Sequence, residues 1–266
     1  MAIFNQIRVI HPEMFVESTW LDDIVTARVP LLVLRGFLSA DVSHTVINDL
    51  AHCREKIRVS HYPNGSLTTL GPYLAKHTAA PEHYFSALRD IQPSLPDSLI
   101  ALKNNVYQWV QHVLKLETLR TAQQPGQGAY SSAIVRFHAD GVANPLHNDY
   151  IVRDAAGSGL VVTQILHQLS CVVCLQECDS GGELRVYNKK WQPQDEQYKT
   201  PGQLGYHPAV VGSSETCEFS PRQGDVYLFN PTYYHEIDRV SGDTRTTMGF
   251  FFGLTDKKMK HAIAWS

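Results

Sequence analysis

The chain has 266 residues, of which 43% are hydrophobic and 18% charged, and its formal net charge at pH 7 is −3. This composition excludes an intrinsically disordered chain and is sufficient for one large domain with a substantial core. Because Lys/Arg runs, long apolar runs and a secretory signal are all missing from the sequence, we expect a cytoplasmic protein that binds neither nucleic acid nor a membrane.

The first half of the chain carries mostly helical patterns. An apolar run at 29–37 comes first and predicts a buried strand. Ser39 can cap a helix that runs to about Cys53, and a second helix is expected over 81–91, directly after a proline. Apolar residues three and four positions apart predict a third, amphipathic helix over 99–115.

After a Gly/Pro loop at 123–128 the pattern changes to short strands. The runs AIVRFH, SCVVCLQ, ELRVYN, DVYLFN and TTMGFFFG are rich in β-branched and aromatic residues and are bounded by turn residues. A helix-rich part at about 1–125 therefore precedes a strand-rich core at about 126–266, which the strand near 29–37 joins. This order predicts a single domain, mainly β with flanking helices, with a sandwich or barrel core.

Five cysteines are present, and their odd number argues against a complete disulfide framework. Cys171 and Cys174 have the spacing of a zinc or redox pair. They lie in an apolar, strand-like run, however, and no second pair of that spacing accompanies them. We therefore interpret both as core residues, since buried cysteine behaves as a small hydrophobe.

A possible metal site is formed by residues of the strand-rich half. His147 and Asp149 are two positions apart, so on a strand they point to the same face. His235 supplies a second imidazole, and two histidines with one carboxylate form the facial triad of non-haem Fe(II) oxygenases. Arg245 and Thr247 would share one face of a later strand, where a guanidinium beside a hydroxyl suits a buried carboxylate.

A second His-x-Asp sequence competes with the first. His138 and Asp140 close the run AIVRF, but Asp140 is followed by glycine and reads as a turn. We favour His147 and Asp149 as the ligands, because the order His-x-Asp, His, Arg is much less frequent by chance than any of its members.

The ordered pattern resembles the Fe(II)/2-oxoglutarate oxygenase superfamily, whose core is a double-stranded β-helix, or jelly roll. GGELRVYNKKW, QGDVYLFNPTYYHEI and RTTMGFFFG are similar to the strands that surround the metal and carry the co-substrate arginine. Within the superfamily the chain is most similar to freestanding small-molecule enzymes, namely the aliphatic halogenases of hapalindole-type alkaloid biosynthesis and the hydroxylases of N-substituted amino acids. In this group an arginine and a glycine, here Arg136 and Gly141, precede the metal histidine.

The resemblance implies a dioxygenase with Fe(2+) as cofactor and with 2-oxoglutarate and O2 as co-substrates. His147, Asp149 and His235 would hold the metal, and Arg245 and Thr247 would bind the distal carboxylate of 2-oxoglutarate. The halogenases have glycine where this chain has Asp149, so hydroxylation, or another oxidation such as desaturation, is expected rather than halogenation. The expected partner is a small molecule, an amino acid derivative or natural-product intermediate; a protein-residue hydroxylase and a non-catalytic metal- or ligand-binding jelly roll are the alternatives.

Substrate contacts are expected from the polar, aromatic segment at 60–77 and from aromatic residues beside the metal motif. Trp191 is interpreted as a packing residue. The candidates for substrate binding are His61, Tyr62, Tyr73, His77, Phe137 and Tyr150.

Overall fold

The computed structural model of the protein describes residues 4, 6–11 and 19–266. The rest of the predicted helix-rich part, residues 1–3, 5 and 12–18, lies outside the described residues. In the described part there are five α-helices: α1 (Trp20–Val25), α2 (Ala40–Ala51), α3 (Pro81–Ile91), α4 (Asp97–Val113) and α5 (Ile151–Asp154). Short 3-10 helices span Arg54–Lys56, Leu74–His77, Gln92–Ser94, Val161–Gln164, Pro193–Tyr198 and Pro208–Val210.

The strands of the described residues form two main sheets and one short hairpin. In chain order they are β1 (Ile7–Ile10), β2 (Leu31–Leu34), β3 (Ile57–Tyr62), β4 (Gly65–Leu70), β5 (Thr118–Thr121), β6 (Gln123–Gln124), β7 (Gly128–Ala129), β8 (Ile134–His138), β9 (Asn144–His147), β10 (His167–Gln176), β11 (Leu184–Lys190), β12 (Thr216–Phe219), β13 (Val226–Phe229), β14 (Tyr233–Ile237), β15 (Arg245–Leu254) and β16 (His261–Trp265).

The predicted helices and the first predicted strand are present. Ser39 caps α2, and its hydroxyl accepts a hydrogen bond from the Val42 N–H at 3.4 Å, which satisfies one donor of the first turn. The helix predicted over 81–91 has those bounds, and α4 begins two residues earlier than the apolar spacing indicates. No helix among the described residues is long and apolar enough to cross a bilayer.

The larger sheet has ten strands and includes more of the first half of the chain than the sequence patterns indicate. Its path is β1-β2-β13-β10-β15-β8-β4-β3, with β16 and β5 attached beside β15. The hairpin of β3 and β4 occupies most of the segment 60–77 and pairs with β8 through β4. The first half of the chain therefore contributes strands to the large sheet as well as helices. The β3–β4 hairpin joins this sheet by pairing with β8, which is distant in the sequence.

The two faces of the large sheet have different neighbours, since side chains alternate along a strand. Its outer face packs with α1, α2 and α4 through residues such as Leu32, Val135, Cys171, Met248 and Phe250. Its inner face packs against the four-stranded sheet β12-β11-β14-β9 through residues that include Leu31, Val172, Tyr227, Leu184 and Phe219. The molecule is thus a mainly β protein in which two sheets enclose an inner space.

Cys171 and Cys174 are both buried and free, as the core interpretation requires. Cys171 pairs with Phe250, which faces the helices, whereas Cys174 pairs with Thr247 on the inner face. Because the two thiols lie on opposite faces of β10, they do not form a ligand pair.

Candidate functional site

Strands β9 and β14 bring the predicted metal ligands together at one end of the small sheet. His147 is the last residue of β9 and pairs directly with His235 in β14. Asp149 follows two residues later, and its N–H donates to the Pro231 carbonyl at 2.9 Å. His147 and His235 are 88 residues apart in sequence. They and Asp149 converge because β9 and β14 pair in this register.

The donor atoms of this group fit one metal ion. One ligand atom from each of His147, Asp149 and His235 lies within 4.8 Å of the others. The Nε2 atoms of the two imidazoles are 3.6 and 3.5 Å from the Asp149 Oδ2. Each Nδ1 lies close to a carbonyl, that of Pro145 at 2.7 Å and that of Tyr233 at 2.9 Å. With Nδ1 donating, each Nε2 presents its lone pair to the centre of the group, as a metal ligand must.

The electrostatics of the three ligands also suit a cation. Burial, aided by the neighbouring His235, lowers the pKa of His147 to about 4, so its imidazole is neutral at neutral pH. Burial alone raises the pKa of Asp149, but the two imidazoles and the Arg136 guanidinium outweigh it and hold this pKa below its usual range. Neutral imidazoles and an ionised carboxylate are the forms that bind metals.

Arg245 lies on the inner face of the large sheet, opposite the small sheet that carries the metal ligands. It is buried, as is Thr247 two residues later on the same face. Its guanidinium donates to the Tyr227 hydroxyl at 3.0 Å. Among the described residues no other group accepts a hydrogen bond from this guanidinium, so its remaining N–H groups can bind a carboxylate, which is the role predicted for Arg245.

Gly182, in the turn before β11, makes room for Arg245. Its φ is +73°, and an added Cβ would lie 2.8 Å from the Arg245 Cδ and 3.0 Å from the Cys178 Sγ. Both the positive φ and the close approach favour glycine at this position. The Gly-Gly-Glu-Leu sequence thus shapes the space in which the arginine lies.

The competing His138 and Asp140 do not form a metal site. His138 is buried on the inner face, directly across from Arg245, and its Nδ1 has no hydrogen-bond partner in the described part of the chain. The Asp140 carboxylate accepts a hydrogen bond from the Gly242 N–H at 3.0 Å, as a turn residue does. Among the described residues, His147, Asp149 and His235 form a group that could hold a metal ion, and His138 belongs to no such group.

His138 is expected to make stability depend on pH. Burial, with smaller contributions from Arg245 and Arg136, lowers the pKa of His138 to about 3. In the unfolded chain the pKa of His138 is about 6.5, so between pH ~6.5 and 3 the folded protein binds fewer protons than the unfolded one. The free energy of unfolding is therefore highest above pH ~6.5 and decreases as pH falls towards 3. The His138→Gln variant should therefore lose a slope of up to ~1.4 kcal/mol per pH unit.

Urea denaturation of the metal-free protein at several pH values below neutrality measures this slope. His261→Gln, at an exposed histidine, is the control. An unfolding free energy that varies equally with pH in the His138 variant and in the parent would show that His138 does not titrate in this way.

A cavity of 290 Å³ opens in front of the metal ligands His147 and Asp149. Three of the predicted substrate-binding residues, Tyr62, Tyr73 and Tyr150, line it. The Tyr62 and Tyr73 hydroxyls are 3.0 Å apart. Much of the remaining wall is apolar and includes Leu67, Leu74, Ile151, Leu204, Phe251 and Trp265.

The other three predicted substrate contacts, His61, His77 and Phe137, do not line this cavity, and their role stays a prediction. Phe137 is on the outer face of β8 and packs with the helices, because its neighbours in the strand take the inner face. His61 is exposed on β3, and its neighbour Tyr62 takes the cavity side. His77 lines a separate cavity beside α3 and lies close to the Tyr84 ring.

Trp191 has the packing role expected of it. Its indole N–H donates to Glu196 at 2.8 Å and its ring lies under the Arg153 guanidinium, 4.8 Å from the ring centroid.

Two cations in the cavity wall, Arg136 and Lys76, were not among the predicted site residues. Lys76 donates to the Ser60 hydroxyl at 2.7 Å. Alternation along AIVRFH places Arg136 on the same face as His138, so this pattern could have assigned Arg136 to the inner face. The long-range pairing of β8 with β15 was needed to place that face beside the ligands.

Comparison with known families gives one match over nearly the whole chain. A family model described as the carrier-protein-independent halogenase WelO5 matches residues 4–266.

Several curated proteins match parts of the chain. "Leucinostatins biosynthesis cluster protein S" of Purpureocillium lilacinum is 28% identical over 157 residues, which cover 56% of this chain and 62% of that protein. The "L-gamma-glutamyl-L-propargylglycine hydroxylase" of Streptantibioticus cattleyicolor is 31% identical over 111 residues, which cover 41% of this chain and 40% of that protein. The match thus spans less than two thirds of the length of either relative.

Among solved structures, the N-substituted L-amino acid dioxygenase of Burkholderia ambifaria AMMD in complex with alpha-KG is similar with a TM-score of 0.59. The sequence identity is 13%, and the match covers 92% of this chain and 90% of that chain. At this identity the likeness concerns the fold.

Proposed function

Since the chain belongs to the family of the carrier-protein-independent halogenase WelO5, we propose that it is an Fe(II)/2-oxoglutarate-dependent dioxygenase that hydroxylates a C–H bond of a small molecule. The resemblance to the Fe(II)/2-oxoglutarate oxygenase superfamily, inferred from its motifs, is confirmed by this membership. The two facing sheets are proposed to be the double-stranded β-helix of that superfamily, and β9 and β14 deliver the metal ligands as that fold requires.

The residues of the site have complementary roles in this proposal. His147, Asp149 and His235 hold Fe(II), which together with 2-oxoglutarate and O2 supplies the oxidation of an unactivated C–H bond. Arg245 receives the distal carboxylate of 2-oxoglutarate, its position set by the Tyr227 hydroxyl. The apolar wall of the cavity keeps water from the reacting centre and positions the substrate there.

Asp149 is the observation that favours hydroxylation over halogenation. Its Oδ2 is within 3.6 Å of the Nε2 of both histidines, so the protein itself offers three ligands. In the halogenases that the sequence resembles, glycine at this position leaves room for chloride on the metal. The Asp149 carboxylate would occupy that position on the metal, which favours hydroxylation. Because the matching family model is named for a halogenase, chlorination is the second candidate reaction.

The proposed substrate is an amino acid derivative. The names of the relatives point to this class: one hydroxylates a γ-glutamyl amino acid, and a structural neighbour acts on N-substituted L-amino acids. A cavity of 290 Å³ is at the small end of the range for ligand sites and suits a small molecule better than a folded protein.

The test is anaerobic titration of the protein with Fe(II) and 2-oxoglutarate, followed by exposure to O2. A metal-to-2-oxoglutarate charge-transfer band should form, shift with the true substrate, and be followed by succinate release. N-acyl L-amino acids and peptides are compared as substrates, in buffer with and without chloride, and products are identified by mass spectrometry. A chlorinated product would favour the second reaction, and a metal complex that forms no band with 2-oxoglutarate would contradict the enzymatic proposal.

A further inference from the structure

Arg136 is a cation of the cavity wall to which no role has been assigned. It lies on β8, directly across from Thr247 of β15, and lines the cavity together with His147 and Asp149. No hydrogen bond and no ion pair within 4.0 Å engages its guanidinium among the described residues. This group therefore presents its N–H donors to the cavity without a protein partner.

Other arginines around the sandwich differ from Arg136 in this respect. Arg153 binds Asp154 and the Asn148 side chain, and Arg245 binds Tyr227. Arg185, on the small sheet, forms ion pairs with carboxylates at 2.8 and 2.6 Å. Unlike these three, and unlike arginines that are fully exposed to water, the half-buried Arg136 guanidinium has no hydrogen-bonded or ion-paired partner among the described residues.

The Arg136 side chain is half-buried, and an anion bound beside its guanidinium would stabilise the charge there. Burial lowers the pKa of the Arg136 guanidinium; the Asp149 carboxylate, the largest charge effect, opposes this, and Arg245 adds to the lowering. Removing a charge from water without a partner is unfavourable, and buried charges in proteins are normally paired. Asp149 acts on Arg136 only at longer range, since its carboxylate lies within 3.6 Å of the two imidazoles and forms no ion pair with the guanidinium.

We propose that Arg136 binds a carboxylate group in the cavity, in addition to the distal carboxylate assigned to Arg245. The planar guanidinium presents paired N–H donors that match the two oxygens of a carboxylate. The Tyr62 and Tyr73 hydroxyls line the same cavity and can complete the polar end of the site, while the apolar wall takes the rest of the ligand.

Two molecules of the proposed reaction could supply this carboxylate. The identity of the ligand therefore rests on the proposed function. One is 2-oxoglutarate, through the carboxylate beside its keto group, since Arg136 lies in the same wall as the metal ligands. The other is an amino acid substrate, through its own carboxylate. The chemistry of recognition is the same for both, and the ligands tested separate them.

The experiment measures binding without turnover, by isothermal titration calorimetry with Mn(II) in place of iron. The variants are Arg136→Gln, which removes the charge, and Arg136→Lys, which keeps the charge but not the fork. Arg185→Gln is the matched control, an arginine outside the cavity. The ligands are 2-oxoglutarate, 2-oxopentanoate, which lacks the distal carboxylate, and N-acyl L-amino acids paired with their amides. Circular dichroism and Tm establish that each variant is folded.

If Arg136 binds 2-oxoglutarate, Arg136→Gln weakens binding of both oxo acids by about tenfold or more, whereas Arg245→Gln weakens binding of 2-oxoglutarate alone. If Arg136 binds the substrate, the oxo acids bind as to the parent protein, and the preference for N-acyl amino acids over their amides is lost. The affinity of Arg136→Lys for the ligand that Arg136 binds should lie between those of the parent and Arg136→Gln, because lysine retains the charge.

Unchanged affinities in both arms would overturn the proposal. Failure of the parent protein to bind 2-oxoglutarate would instead contradict the proposed function. In that case the comparison of acids with amides still decides whether Arg136 recognises a carboxylate.

Discussion

The Asp149→Ala variant is expected to lose hydroxylated product by more than about 100-fold, because removing even a partner outside the ligand set of a metal site typically costs 10–100-fold. Asp149 is the single carboxylate of the ligand group, and its Oδ2 lies 3.6 and 3.5 Å from the Nε2 atoms of the two histidines. Without it, two imidazoles remain, and imidazole ligands neither offset the charge of a divalent cation nor complete the triad.

Two measurements test this expectation. Titration with Mn(II) reports metal affinity directly, and mass spectrometry reports product under O2. Asp140→Ala is a matched control, because Asp140 also belongs to a His-x-Asp sequence but binds the Gly242 N–H in a turn. The control should keep both metal affinity and activity. Hydroxylation and substrate-dependent succinate formation at the parental rate in Asp149→Ala would remove Asp149 from the site.

The Arg245→Gln variant is expected to raise the Kd of 2-oxoglutarate by about 10–100-fold, the range for losing a charge-assisted contact of roughly 1.5–3 kcal/mol. Arg245 is 3% exposed, so in the variant water cannot readily replace the guanidinium as the hydrogen-bond donor to the buried carboxylate. The apparent KM for 2-oxoglutarate should rise more than kcat falls, because the arginine binds the end of the molecule away from the metal.

Calorimetry with Mn(II) and 2-oxoglutarate provides the Kd, and initial rates at varied 2-oxoglutarate provide the kinetic constants. Metal affinity without co-substrate should be unaffected, which separates this variant from Asp149→Ala. Arg185→Gln, which removes an arginine that is ion-paired with Glu218 and Asp238, is the control. An unchanged Kd in Arg245→Gln would exclude Arg245 as the carboxylate anchor.

The local patterns of the chain were sufficient for several elements of the fold. The structure contains the elements predicted from Ser39, from the apolar spacing at 99–115 and from the apolar run near 29–37. Each of these signals involves residues that are close in sequence, within one or two helical turns or one strand. The hairpin of β3 and β4 was not predicted from local pattern. Its polar, aromatic sequence resembles a loop until the edge of β8 is available to pair with it.

The same distinction separates the predicted substrate contacts that line the cavity from those that lie elsewhere. Tyr62, Tyr73 and Tyr150 line the cavity, whereas Phe137 does not, although an aromatic residue beside a metal motif suggested it. Alternation assigns Phe137 and Arg136 to opposite faces of β8, but no local feature says which face is turned towards the small sheet. That choice depends on which residues of β8 and β15 lie across from each other.

By itself, then, the sequence determined the types of its main elements and the order of His147, Asp149, His235 and Arg245, because these depend on spacing within single strands and helices and on motifs. The tertiary structure alone decided that β9 pairs with β14 so that three donor atoms converge, and that His138 faces Arg245 rather than a metal. It alone also placed Arg136 in the cavity wall, where none of the described residues binds its guanidinium. The physical reason is that strand register and the packing of two sheets are long-range properties, fixed by hydrogen bonds and burial between segments far apart in the chain.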